Sequence, residues 1–485
     1  MKVLISATLK TFFEKTSQTE IQGNTLDEIF KGLLDEYPEA RKGLYDDEGK
    51  LRKFIRVFVD GEDFTDVARH TEKLDESSEV LLLPLIAGGK PNESIISDER
   101  QKAITIDEKG IDRFNKHLML REISVKGQKR IRAAKVVVVG AGALGSPVIQ
   151  YLAAAGVGTI KVIDFDKVTL ANLQSQVIHS SRDVNRPKVA SARDTIRNVD
   201  RGIEVIDENE ELTAENAVDL IDGFDVVFDC TDNYKTRYLI NDACVITGIP
   251  LVFASIYQYE GMVSIFGYKN GPCLRCLFPE PPAPGLVPTC TEGGTISPLA
   301  GIIGSIQANE ALKLIIGIGE HLSGKLLTFD SLNLNTKILN IDKDFDCPVC
   351  GKSHLIKKVV DFDYEEFCGL KEDDSELPVE GFTADEFAKR LEDEVPMTII
   401  DVREPHERAI LRFPGAIVIP IGQLARRQKE LDPNIDTVFI CKQGKRSILA
   451  INTLRESGYE GPMYNLKDGI DGMKDIIFSH EAGLL

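Results

Sequence analysis

Four of the nine cysteines fall in two pairs, Cys273-Leu274-Arg275-Cys276 and Cys347-Pro348-Val349-Cys350. Each pair can give two thiolates to one tetrahedral zinc, and two pairs complete a closed structural site. The 70 residues between them exceed the span of a contiguous zinc ribbon, which leaves redox use of each CxxC as a rival. That rival is weaker, because neither pair sits in a thioredoxin-like pattern. A second constellation is Gly140-Ala141-Gly142-Ala143-Leu144-Gly145, after the apolar run Lys135–Val139 and before a helical pattern. Glycines there let backbone approach a ligand, and a helix N-terminus favours phosphate. Asp164 closes the next apolar run, where a carboxylate accepts ribose hydroxyls. This much suits a nicotinamide-dependent oxidoreductase as well as an ATP enzyme. The continuation through Asp164–Gln176 (DFDKVTLANLQSQ), Arg186-Pro187-Lys188 and Asp229–Asn233 (DCTDN) favours ATP. Lys188 can neutralise phosphate charge and Asp232 can hold Mg²⁺. Taken singly, a lysine and a loop aspartate are ordinary solvated residues.

The third constellation is Cys441 in VFICKQGKRS, directly after a buried-strand pattern and before a helical one. A short loop so placed points backbone N–H groups inward and holds an anionic sulfur. The flanking Lys442, Lys445 and Arg446 argue against an inert buried thiol.

Scaffolds must position these groups, and 485 residues are too many for one core; about 150 residues per domain suggests three. Residues 1–89 read as a small α+β unit. Strand patterns at Lys2–Leu9 and Phe54–Val59 flank a helix opened by the capping box Thr25-Leu26-Asp27-Glu28. Asp60-Gly61 marks a tight turn. The unit closes with the run Val80–Ile86 and then Gly88-Gly89, a diglycine with no partner strand close behind it. Residues 90–112 are polar and read as a linker. From 113 to 355 strand and helix patterns alternate as in a parallel, doubly wound sheet. Residues 356–377 read as a second linker; eight acidic residues and one lysine over 361–377 make it too polar to pack. The last unit, 378–485, opens on another capping box, Thr383-Ala384-Asp385-Glu386, and alternates strands (TIIDV, TVFIC) with helices.

Hydrophobic content of 42% and charged content of 28% describe an ordinary globular chain. A net charge of −19 argues against nucleic acid or an anionic membrane as main partner. The N-terminus reads as a strand, not a signal peptide, and Ser146, Pro147 and Gln150 interrupt the most apolar stretch, Val136–Gly158. These features, with thiols free for metal or catalysis, imply a reducing cytoplasm.

Residues 113–352 resemble the E1-like adenylyltransferases of molybdopterin and thiamine biosynthesis. The resemblance rests on RFNKHLML, GAGALG, DFDKVTLANLQ, RPK, DCTDN, CLRC, TCTEGG and CPVC. It implies ATP–Mg²⁺ binding, a structural zinc on Cys273, Cys276, Cys347 and Cys350, and a homodimer. By position, Gly140, Gly142, Gly145, Asp164, Asn172, Lys188 and Asp232 would form the nucleotide site, Asp232 with the metal. The family usually has arginine, contacting phosphate, where this chain has Lys116 and Ser175. Lys116 keeps the charge without the planar fork, and Ser175 loses it; Arg182 or Arg186 would have to compensate. In that family Cys290 lies near the adenylated tail; a merely tolerated cysteine is the alternative there.

Residues 1–89 resemble ubiquitin-like sulfur carriers, through FIRVFVDGED and the LPLIAGG ending. Such β-grasp carriers end in Gly-Gly because only an unbranched tail can thread to the α-phosphate of ATP. Here Gly89 is joined to Lys90. Either a protease cuts after Gly89, or the fused unit is a fixed module and a free carrier is the substrate. Residues 378–485 resemble a single-domain rhodanese, through IDVREPHE, VFICKQGKRS and NLKDGIDGM. Cys441 would carry a persulfide from a sulfur donor and Arg446 would shape the anion-binding loop; Met473 stands for the usual tryptophan and Asp468 for a common glycine. The fold expected is α/β throughout: β-grasp, Rossmann-like E1 and rhodanese domains in order. Its expected work is adenylation of a carrier's C-terminal glycine, then sulfur transfer to a thiocarboxylate. A non-adenylating scaffold that binds carriers is the alternative.

Overall fold

Alternation in Lys2-Val3-Leu4-Ile5 puts Val3 and Ile5 on one buried face, and the same period buries Ile55, Val57 and Val59. The computed structural model describes all residues except 6–8, 15, 17, 47, 53–54, 61, 76, 85–92, 283–292, 370–378, 475–476 and 478–485. Gly88, Gly89, Lys90 and Cys290 therefore lie outside the described residues.

The first domain is a mixed five-stranded sheet, β1 (Lys2–Ile5), β2 (Gln18–Glu20), β3 (Ile55–Val59), β4 (Glu62–Asp63) and β5 (Glu79–Pro84). Its order is β2-β1-β5-β3-β4, with β1 and β5 parallel at the centre. The helix Leu26–Glu36 starts where Thr25 accepts the Glu28 N–H, and it seals the sheet with Leu26, Ile29, Phe30 and Leu33. This is a β-grasp, and β5 leads directly into the diglycine segment.

The second domain holds eight strands: β6 (Lys135–Val139), β7 (Thr159–Ile163), β8 (Glu204–Glu208), β9 (Val226–Asp229), β10 (Leu251–Tyr257), β11 (Glu260–Phe266), β12 (Lys325–Asp330) and β13 (Asn335–Asn340). The order is β13-β12-β11-β10-β9-β6-β7-β8. The five strands from β10 to β8 are parallel, while β11, β12 and β13 run antiparallel. The fully parallel sheet expected from strand–helix alternation is thus mixed, because the tight β10–β11 connection has no room for a crossover. Val136–Val139 are buried on both faces, as parallel central strands require. Since β6 pairs with both β7 and β9, the topological switch lies at its C-terminal end. The helix Ser297–Ile316 is long and apolar enough to cross a membrane, and 61% of its apolar window is buried inside this domain.

Both linker boundaries need correction. Ile96 joins the domain core, Ile95 N–H bonds the Leu314 carbonyl, and Arg100 pairs with Asp225, so 94–103 dock as part of the second domain. Residues 359–368 also pack: Val359, Tyr364 and Cys368 are buried and a short helix spans Tyr364–Phe367. Acidic composition misled here because Phe362, Tyr364 and Phe367 carry the packing between the acids.

The third domain is a parallel sheet of β14 (Gly381–Phe382), β15 (Thr398–Asp401), β16 (Ile417–Val418), β17 (Thr437–Ile440) and β18 (Met463–Leu466), ordered β14-β18-β17-β15-β16. Two apolar clusters cover its faces. The capping box at Thr383 and Glu386 forms as the sequence indicates.

Candidate functional site

Three strand ends meet at the switch point. The glycine loop follows β6, Asp164 follows β7, and Cys230-Thr231-Asp232 follow β9. Gly140 has φ +97°, and a Cβ there would sit 2.7 Å from the Cys230 carbonyl oxygen. A Cβ at Gly145 would collide with the Gly140 carbonyl. These two glycines are demanded by the protein itself. Gly142 is not: its Cβ position meets only Gln176 Nε2, at 3.8 Å, so the space beside it is open to a ligand.

Gly140, Gly142, Asp164, Asn172, Lys188 and Asp232 all line one cavity of about 580 Å³, the size of a small-molecule site. Ser175 lines it too. Gly145 and Lys116 are not among its walls: Gly145 is the first residue of the helix Gly145–Ala155, and Lys116 stands exposed on the helix Glu108–Leu118. Neither arginine named as a compensator lines it, and Arg186 is held by Asp183 and Asp194.

Asp164 is more committed than a free ribose acceptor. One oxygen accepts the Ala141 N–H at 2.8 Å and the other the Asp166 N–H at 2.9 Å. Burial pushes its carboxyl above the usual range, against the opposing Lys188 charge and these N–H groups. Lys188 begins the helix Lys188–Val199 and sets its ammonium 2.7 Å from Asp166 and 3.9 Å from Asp164.

Sequence reasoning missed two positioning residues. Buried His179 donates from Nε2 to the Ala141 carbonyl at 3.0 Å, and its Nδ1 lies 2.9 Å from Ser191 Oγ. Burial pushes its pKa down, so the neutral ring holds the glycine loop. Arg237 lines the cavity and pairs at 3.1 Å with the fully buried Asp229. The spacing of DCTDN to Arg237, eight residues from Asp229 along a helix start, carried a readable signal. Cys230 also lines the cavity, but burial drives its thiol well above the usual range, which fits a structural role.

The two CxxC pairs converge on one cluster. Sulfur separations are 3.9 Å (Cys273–Cys276), 3.6 Å (Cys273–Cys347) and 3.3 Å (Cys276–Cys350), and all four sulfurs lie within 4.8 Å of one another. A tetrahedral zinc with thiolates at about 2.3 Å needs sulfurs about 3.8 Å apart, so the donor set fits that ion. Convergence also counts against two independent redox pairs. Between the first two cysteines Arg275 is buried and bidentate on Asp242, whose carboxylate Tyr364 also reaches at 2.8 Å. Its guanidinium lies 4.4 Å from the Phe367 ring centroid and 4.8 Å from that of Phe362. Arg275→Ala would strand Asp242 as a buried charge, and it should lower unfolding free energy by about 3–5 kcal/mol. Denaturant unfolding checks this, with the loss expected in the second domain's transition.

In the third domain Cys441 follows the central strand β17 and is buried. Its sulfur accepts the Gly444 N–H at 3.1 Å and lies 3.3 Å from Ser447 Oγ. Arg446 is pinned bidentately by Glu407 at 2.8 and 2.6 Å, so it braces the loop from outside. Burial raises the Glu407 carboxyl, and the Arg446 hydrogen bonds and charge overcome this to leave it below its usual range. Met473 fills the core in the tryptophan's place, and Asp468 accepts the Ala384 N–H. Lys442, next to Cys441, lines the same cavity of the second domain.

A Rossmann-type E1 domain with a cavity at its switch point and a four-cysteine cluster, joined to a rhodanese loop, defines a two-activity class of enzyme. Family models agree in order along the chain: the ThiS family matches 3–89, the ThiF family 114–349 and the rhodanese-like domain 383–475. The adenylyltransferase/sulfurtransferase MoeZ of Mycobacterium tuberculosis is 40% identical over 379 residues, 76% of this chain and 94% of that protein. The adenylyltransferase and sulfurtransferase MOCS3 of Aedes aegypti is 36% identical over 376 residues, 75% of this chain and 86% of that protein. A sulfur carrier protein adenylyltransferase of Thermus thermophilus is 44% identical over 266 residues, 54% of this chain and 97% of that protein. The chain belongs to the adenylyltransferase/sulfurtransferase family of MoeZ and MOCS3, here with a ThiS-type domain fused in front.

Proposed function

We propose that the chain adenylates the C-terminal glycine of a ubiquitin-like sulfur carrier and then sulfurates it from a persulfide on Cys441. One observation supports the reading: Gly140, Gly142, Asp164, Asn172, Lys188 and Asp232 line one cavity whose wall includes Lys442, the neighbour of Cys441. The carrier carboxylate, that of Gly89 once freed from Lys90, attacks the ATP α-phosphate and pyrophosphate leaves. Lys188 and the amides of the glycine loop stabilise charge on the phosphates. Mg²⁺, for which Asp232 is the ligand, supplies further neutralisation when bound, and zinc on the four cysteines braces the fold. The terminal sulfur of the Cys441 persulfide attacks the acyl carbon and AMP leaves, giving an acyl disulfide. A thiolate then attacks the Cys441 sulfur, releasing the thiocarboxylate and leaving a mixed disulfide. Cys290 is the candidate for that thiolate, and a cellular dithiol resets the pair. A homodimer would cover Met119 and Leu120, 81% and 50% exposed beside Lys116.

Intact-mass spectrometry of the protein from its own cells tests the reading. A fragment ending at Gly89 and carrying one oxygen-to-sulfur exchange is the expected species. If the chain stays whole under sulfur demand yet turns over a free carrier ending in Gly-Gly, the fused domain is a module. The scaffold reading draws on Ser175 in the cavity wall and Lys116 outside it. Absence of ATP–pyrophosphate exchange with both fused and free carrier would establish that reading instead.

A further inference from the structure

The cavity wall carries a side-chain amide that the fold itself does not use. Gln176 is 9% exposed and lines the cavity together with Gly142. Its Oε1 is buried without a hydrogen-bond partner, and its Nε2 has none either among the described residues. Nearly all buried polar side chains find a partner, and one left unpaired costs stability that a ligand can restore. The main chain fixes where this amide stands. The Gln176 N–H bonds the Asn172 carbonyl at 2.9 Å, and the Gln176 carbonyl accepts the His179 N–H at 3.1 Å. His179 in turn donates to the Ala141 carbonyl of the glycine loop at 3.0 Å. Gln176 and the loop are thus tied together. Its Nε2 lies 3.8 Å from the point where a Cβ on Gly142 would stand, at the open side of that glycine. Loop N–H groups before a helix face phosphate, and an amide NH₂ beside them is a neutral donor of the same kind.

We propose that Gln176 is a phosphate ligand of the nucleotide site, donating from Nε2 to a phosphate oxygen cradled by the glycine loop. This rests on the ATP reading of the cavity. A neutral donor suits this wall, which also carries Asp164, Asp166 and Asp232. It adds a charge-assisted hydrogen bond to phosphate, yet forms no ion pair with those acids that nucleotide would have to break. Ser175, its neighbour on the wall, brings no charge, so the amide is the group this segment offers an anion. The placement also gives Gly142 a reason to lack a side chain. Any group larger than a methyl there would cover the amide nitrogen.

The test is equilibrium binding of ATP–Mg²⁺ and, separately, adenosine to the full chain, comparing Gln176→Met, Gln176→Glu and Lys188→Ala. Methionine keeps the length and nearly the volume of glutamine while removing the donor. The expected result is an affinity for ATP about tenfold weaker in Gln176→Met, as loss of one hydrogen bond to a charged acceptor implies. Gln176→Glu sets a carboxylate against the phosphates and should weaken ATP further. Adenosine binding should match the parent in both variants, which also shows that the cavity is intact. Unchanged ATP affinity in Gln176→Met, with ATP weakened in Lys188→Ala, overturns the role of Gln176 and leaves the ATP site standing. Equal losses for ATP and adenosine in Gln176→Met assign the residue to packing and also overturn it. If neither Gln176→Met nor Lys188→Ala alters ATP binding, the ATP reading falls and this inference with it.

Discussion

Lys188→Ala should lower ATP–pyrophosphate exchange by about 10²- to 10³-fold, the usual cost of removing one group aimed at developing charge. Two effects add. The ammonium is lost from a buried position, with the side chain only 8% exposed. Its removal also leaves Asp164 and Asp166 facing incoming phosphates without their partner, at 3.9 and 2.7 Å from where the charge stood. At an effective dielectric near 20, a unit charge pair 4 Å apart is worth about 4 kcal/mol, ample for the loss expected. Thiosulfate-dependent sulfur transfer by the third domain should be unchanged in the same preparation, which separates a site effect from misfolding. Exchange at the parent rate in Lys188→Ala would remove the lysine from the site.

Cys441→Ser should abolish thiocarboxylate formation, by more than about 10³-fold, because a hydroxyl cannot carry the terminal sulfur that does the attacking. The substitution is nearly isosteric. A serine oxygen can still accept the Gly444 N–H and approach Ser447, so the loop between β17 and the helix Lys445–Glu456 should keep its shape. Pyrophosphate exchange should stay within about twofold of the parent. Single-turnover mass analysis of the carrier after addition of ATP and a persulfide donor reads both steps: the acyl-adenylate should accumulate and the thiocarboxylate should not appear. Thiocarboxylate formed at the parent rate would assign the sulfur to another thiol.

The two variants divide the chemistry as the chain divides it, and that division was legible in the residues. The glycine loop announced itself through strand, turn and helix in series, and the helices at Thr25 and Thr383 through their caps. Such signals are local, set by backbone sterics and by hydrogen bonds within a few residues. The CxxC pairs were half legible. Residue type said thiolate ligands, but only the fold closes 70 residues of separation to 3.6 Å between Cys273 and Cys347.

The rest depended on contacts that no spacing encodes. The acidic run after 360 reads as solvent-loving until Arg275, far upstream, collects Phe362 and Phe367 around its guanidinium. Asp164 reads as a ribose acceptor, but the fold also spends it on the Ala141 N–H. Lys116 reads as a phosphate ligand, and the fold leaves it exposed outside the cavity, while Lys442, over 250 residues from Lys188, lines it. The sequence by itself determined the order of the three family domains and the class of chemistry, because these follow from residue type, motif and short-range periodicity. The tertiary structure alone decided which charges line the cavity, because electrostatic neighbours are chosen by distance in space and not along the chain.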